Sequence, residues 1–112
     1  MEIRDRLVGN VGIVELAGRL TVNDDPGPLK QAVLDVVSRG AKNVLLDLSG
    51  VHYIDSTRLG ELIAAHITVS RNGGRLKLVH VPPRVVELLT LAGLSDIFER
   101  FDSVEAAEKS FG

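Results

Sequence analysis

Val44-Leu45-Leu46-Asp47-Leu48 is a short, nearly continuous apolar run, and Asp55-Ser56-Thr57 follows it as a helix start. A run of this kind is the mark of a strand covered on both faces, as in a parallel sheet flanked by helices. Outward from it, the chain alternates. Residues 2–8 and 11–18 read as two short strands, with Gly9-Asn10 as a type I′ hairpin turn in which both residues take positive φ. Asn23-Asp24-Asp25-Pro26 reads as a helix start, with Pro28 tolerated in the first turn. Leu29, Ala32, Val33, Val36 and Val37 recur at helical spacing until Gly40 stops the helix.

The second helix, from Asp55-Ser56-Thr57 to Asn72-Gly73-Gly74, places Leu59, Leu62, Ile63 and His66 inward. Arg58, Glu61, Ala65 and Thr68 fall on another, water-facing side that is flat enough for docking. Leu76 to Val81 reads as a strand. Pro82-Pro83 opens a third helix with Val85, Leu88, Leu89 and Ala92 inward and Gly93 as its cap. Ile97 to Phe101 reads as a last strand and Ser103 to Phe111 as a C-terminal helix. The order β-β-α-β-α-β-α-β-α predicts a mixed α/β sheet with an N-terminal antiparallel hairpin and right-handed crossovers.

The whole chain of 112 residues fits one domain, 1–112. With 13 basic and 15 acidic residues, it shows neither the excess nor the stripe of Lys and Arg that nucleic acid demands. The absence of Cys excludes disulfides, thiolate-held metals and a Cys nucleophile. Early charges at Glu2, Arg4, Asp5 and Arg6 argue against a signal peptide. The longest stretch without a formal charge, Leu62–Ser70, falls far short of the about 20 residues a membrane span needs. The expectation is a cytoplasmic protein without membrane insertion.

Three oxygen-bearing side chains, Asp55, Ser56 and Thr57, cluster where the first-turn N–H groups of a helix lack partners and its dipole is positive. Any one of them would suffice as a cap. A Ser-His-Asp hydrolase built from Ser56, one of His52, His66 or His80, and Asp47 is disfavoured, because Ile-Asp-Ser-Thr-Arg is not the Gly-x-Ser-x-Gly elbow. The three His residues have no close ligand partner, and no Gly-x-x-x-x-Gly-Lys-Ser/Thr loop is present. No catalytic residue, metal or cofactor is expected.

The element order and Tyr53-Ile54-Asp55-Ser56-Thr57-Arg58-Leu59-Gly60 resemble a STAS domain, and more narrowly the bacterial anti-sigma factor antagonists. In that family the segment typically reads hydrophobic-Asp-Ser-Ser/Thr-Gly-Leu-Gly. Leu45-Leu46-Asp47-Leu48-Ser49, Gly73-Gly74-Arg75-Leu76 and Leu91-Ala92-Gly93-Leu94-Ser95-Asp96-Ile97-Phe98 are similar to other landmarks of the family. The resemblance implies a STAS fold with helices packed mostly on one face. It also implies a regulator that binds an anti-sigma factor serine kinase and so releases a sigma factor. Ser56 would be the phosphorylated residue, and a phosphatase would restore it. Asp24, Asp55, Thr57, Arg58, Glu61 and Ala65 would contribute to partner binding. The alternative is a STAS subunit of a signalling scaffold or transporter-associated assembly that is never phosphorylated. Two departures stand out. Arg58 stands in place of the family's usual Gly, where it would clash with or reorient a kinase partner, or else pair with a phosphate on Ser56. Thr21 ends a segment that commonly ends in Asp.

Overall fold

The computed structural model describes residues 2–20 and 28–111. The readings that fall on Thr21 and on Asn23 to Pro26, Asp24 among them, lie outside these. The order of elements is β1 (Glu2–Val8), β2 (Val11–Leu20), α1 (Pro28–Ser38), β3 (Asn43–Ile54), α2 (Ser56–Arg71), β4 (Leu76–Val79), α3 (Pro83–Leu91), β5 (Arg100–Phe101) and α4 (Val104–Ser110). The sheet runs β1-β2-β3-β4-β5. β1 and β2 are antiparallel, and each later pair is parallel. The hairpin turn has positive φ at Gly9 alone, so it follows the type II′ pattern, not type I′.

The strand order explains the layers. Each parallel strand is added on the same side of the one before it, and right-handed crossovers then put every connecting helix on one face. Accordingly α1, α2 and α3 share one core with the sheet. Leu29, Val33, Val36, Leu62, Ala65, Val69, Val85 and Leu89 pack there on Val14, Leu16, Val44, Leu46 and Leu48. The opposite face holds a smaller cluster of Val11, Ile13, Leu45 and Val79, closed by Ala107 of α4 with Phe101, Val104 and Phe111.

β3 is longer than its apolar run. It continues from Leu48 to Ile54 through two irregularities in its pairing with β2. Asp47 lies opposite Glu15 and Gly50 opposite Ala17, so Leu48 and Ser49 face the single residue Leu16. Val51 lies opposite Gly18 and Tyr53 opposite Arg19, which leaves His52 as an extra residue in the strand. Each inserted residue flips the alternation. The inward positions therefore become Leu48, Val51 and Ile54, all buried, at a spacing of three. At Gly50 a Cβ would lie 2.8 Å from that of Ala17, so glycine permits the close approach of the two strands.

Several boundaries differ from the sequence expectation. β3 extends through His52, beyond the apolar run that the sequence marks as a strand. His80 lies just beyond β4 with φ of 54°, and its N–H donates to Phe101 O. Of the segment 97–101, only Arg100–Phe101 pairs as a strand. Ala92 is exposed past the end of α3 and does not face inward.

Candidate functional site

The long β3 delivers Asp55 and Ser56 beyond the main body of the sheet. Asp55 is the N-cap of α2: its backbone is extended, and its Oδ1 accepts from Arg58 N–H at 2.9 Å. Asp55 O accepts the first helical bond, from Leu59 N–H. Ser56 and Thr57 are exposed in the first turn. Their N–H groups are among those that no helix can satisfy internally. Gly60, one turn from Ser56 on the same side of the helix, is exposed, and a Cβ there would meet nothing within 4 Å.

The inner stripe of α2 is not the one read from the sequence. It consists of Arg58, Leu62, Ala65 and Val69, spaced four, three and four apart. Leu59 and Ile63 are half-buried at its rim. His66 sets its ring edge-on to buried Phe98, with centroids 5.3 Å apart. The expectation of a water-facing surface shared by Arg58, Glu61 and Ala65 is therefore corrected. Ala65 is fully buried and Arg58 only 2% exposed. A charged residue can occupy a core stripe when its long apolar stem fills space and its head is paired.

Arg58 pairs with Glu61, whose side chain is 8% exposed. Arg58 Nη1 lies 2.8 Å from Glu61 Oε1. The second carboxylate oxygen, Oε2, accepts from the backbone N–H of Lys30 in the first turn of α1, at 2.9 Å. A buried guanidinium engaged in this way is held by Glu61. Residues two apart on a helix also point to different sides. The sequence signal for the pair was the spacing of Arg58 with Leu62, Ala65 and Val69, which marks it as part of the stripe despite its charge.

The hydrolase constellation is not assembled. Asp47 meets His80, with Oδ1 and Nδ1 3.3 Å apart, and also accepts from Ser49 N–H. Asp47 and Ser56 are separated by the remaining length of β3, about 20 Å at the usual strand rise. Among the described residues no group of three His, Asp or Glu side chains could hold a metal ion. No helix among them is long and apolar enough to cross a membrane.

Known proteins resemble this chain in sequence and in fold. Residues 2–107 match the model of the STAS domain. The anti-sigma-B factor antagonist of Bacillus subtilis is 33% identical over 86 residues, covering 77% of each chain. The anti-sigma F factor antagonist of Paenibacillus polymyxa is 26% identical over 91 residues, covering 81% of this chain and 78% of its own. In fold, the chain is similar to the anti-sigma factor antagonist SpoIIAA of Bacillus in its unphosphorylated form, with TM-score 0.79, 16% identity and coverage of 97% and 96%. The phosphorylated form of SpoIIAA matches with TM-score 0.73, 15% identity and coverage of 97% and 99%. From sequence and fold together, the chain belongs to the STAS domain family.

Proposed function

We propose that this protein is an anti-sigma factor antagonist that binds an anti-sigma factor with serine kinase activity, and that phosphorylation of Ser56 ends the binding. The observation that carries this reading is the exposed Ser56 hydroxyl at the first turn of α2, beside the capping carboxylate of Asp55. The relatives named anti-sigma factor antagonists support the partner class.

The chemistry of the position fits a switch. A phosphate adds about −1.5 to −2 charges, against a formal net charge of −2 for the whole chain. The helix dipole and the first-turn N–H groups tolerate it, so the fold survives. Arg58 does not neutralise it, because that guanidinium is buried against Glu61. A partner docked on Ser56 and Thr57 must then desolvate a dianion beside Asp55, and binding is lost. Bare Gly60 supports the same reading. Glycine inside a helix costs about 1 kcal/mol relative to alanine, and among the described residues none comes close enough to need its small size there. A partner backbone approaching α2 would.

The test is incubation with candidate anti-sigma factor kinases and ATP, followed by intact mass and peptide mapping. One phosphate on Ser56 is expected, with binding to the kinase lost and far-UV circular dichroism unchanged. Label on another residue overturns the site. Absence of both label and binding overturns the function and leaves the unphosphorylated STAS subunit as the better reading.

A further inference from the structure

We propose that Glu61, held by Arg58, is a positioning residue that locks the start of α1 to the start of α2, so that a partner meets the two helix starts as one preformed surface. The proposal rests on the partner-binding reading above.

The first N–H groups of any helix lack internal acceptors, and most helices recruit a side chain from just before their own first turn. In α1 the Lys30 N–H is satisfied from 31 residues away, by Glu61 Oε2 on the neighbouring helix. A carboxylate buried to this degree is costly unless it is paired. Arg58, one turn earlier in α2, supplies the charge to the other oxygen. The forked guanidinium also fixes the direction of the carboxylate. Arg58 is fixed in turn at its backbone, since its N–H donates to the cap Asp55.

The chain of contacts thus runs from Asp55, beside Ser56, through Arg58 and Glu61 to the first turn of α1. Each link is at hydrogen-bond distance, and the charged heads are shielded from solvent. In sequence, the segment leading into α1 carries Asp24, the other candidate for partner contact. The lock therefore joins the helix that begins beside Ser56 to the helix that the Asp24 segment precedes in sequence. A surface fixed before the encounter loses less entropy on binding than one that must be ordered by the partner. Arg58 acts here from the inside of the molecule without touching the partner.

Two double variants separate the lock from the ion pair. In R58M/E61Q the charges are gone, but the glutamine carbonyl oxygen still accepts from Lys30. In R58M/E61M the acceptor is gone as well. Both are neutral at the pair and similar in volume, so general loss of the buried charges affects them equally. The readouts are amide exchange at Lys30 in the free protein and affinity for the anti-sigma kinase. R58M/E61Q is expected to keep wild-type exchange at Lys30 and to bind the anti-sigma kinase more tightly than R58M/E61M does. R58M/E61M is expected to exchange at Lys30 about fivefold faster or more, and to bind about tenfold more weakly. Far-UV circular dichroism should be native for both. If R58M/E61M does not fold, R58M/E61A replaces it.

Equal exchange at Lys30 in the two variants overturns the lock. Faster exchange with unchanged affinity overturns its role in binding. A wild-type protein that binds no anti-sigma kinase refutes the functional reading itself. In that case the proposed role of the lock in binding falls with it, while the exchange comparison still decides whether Glu61 holds α1.

Discussion

Among the described residues two cations are buried, one on each face of the sheet, and they are held in opposite ways. Arg58 lies on the three-helix side and meets a carboxylate that is almost as buried as itself. Lys77 lies on the other side, equally enclosed at 2% exposure. It donates to two neutral oxygens of Ser110, the backbone O at 3.2 Å and Oγ at 2.8 Å. Its Nζ also sits 4.6 Å from the ring centre of Phe111 and 5.5 Å from that of Phe101. Its carboxylate neighbour, Glu99, is 3.3 Å away and 57% exposed. The difference follows from the head groups. A planar guanidinium suits a fixed carboxylate that has a second task, whereas a compact ammonium suits a ring of dipoles and aromatic faces. Arg58 therefore ties two helices together near Ser56, while Lys77 seats α4 on a sheet face that no crossover helix covers.

The comparison can be broken by mutation. The largest effect should come from Glu61→Ala, which removes the carboxylate paired with the buried Arg58 guanidinium. A loss of about 3 kcal/mol is expected by urea unfolding, and R58M/E61Q should be clearly milder. A Glu61→Ala variant near wild-type stability would show that the guanidinium escapes to water, and the pair would lose its distinction from Lys77. Next comes Asp55→Ala, expected to cost about 1 kcal/mol through the lost N-cap. Ser103→Ala is the matched control on the Lys77 side, because Ser103 caps α4 by accepting from Ala106 N–H. Only the Asp55 effect should shrink with added salt, since only that cap is charged.

Lys77→Met should cost less than about 1 kcal/mol, because its strongest partners are neutral and the site is already lined by rings. A cost equal to that of Glu61→Ala would show that Glu99 matters far more than its exposure implies. The smallest effect, a gain, is expected at Gly60. Gly60→Ala should raise stability by about 0.5 kcal/mol, since its Cβ enters open space. It should also weaken kinase binding. A Gly60→Ala variant that binds as wild type would remove Gly60 from the docking surface.

How far the sequence could be read depended on whether local periodicity survived. The run from Val44 to Leu48 was legible because a strand buried on both faces has no polar side. Ser49 to Ile54 was not, because two inserted residues change the inward spacing from two to three. Asp55 and Ser56 were legible as a helix start, since capping chemistry is local. Arg58 belongs to the inner stripe by its spacing with Leu62, Ala65 and Val69, and only its charge argues for the surface. The contacts of Glu61 with Lys30 and of Lys77 with Ser110 join residues more than 30 positions apart. No local pattern encodes such contacts; they follow only once the crossovers have stacked α1 beside α2 and α4 beneath β4.

The strand order has a consequence for how the chain acquires its shape. Because the sheet runs β1 to β5 in the order of synthesis, every strand after the first hairpin joins an existing edge. No strand has to be threaded between two that are already paired, and no early strand has to wait for a distant partner. Loops closed between neighbours in sequence cost little entropy and form quickly. The nascent chain can therefore lengthen its sheet one crossover at a time as it leaves the ribosome. α4 comes last and closes the remaining apolar face only when the sheet beneath it is complete.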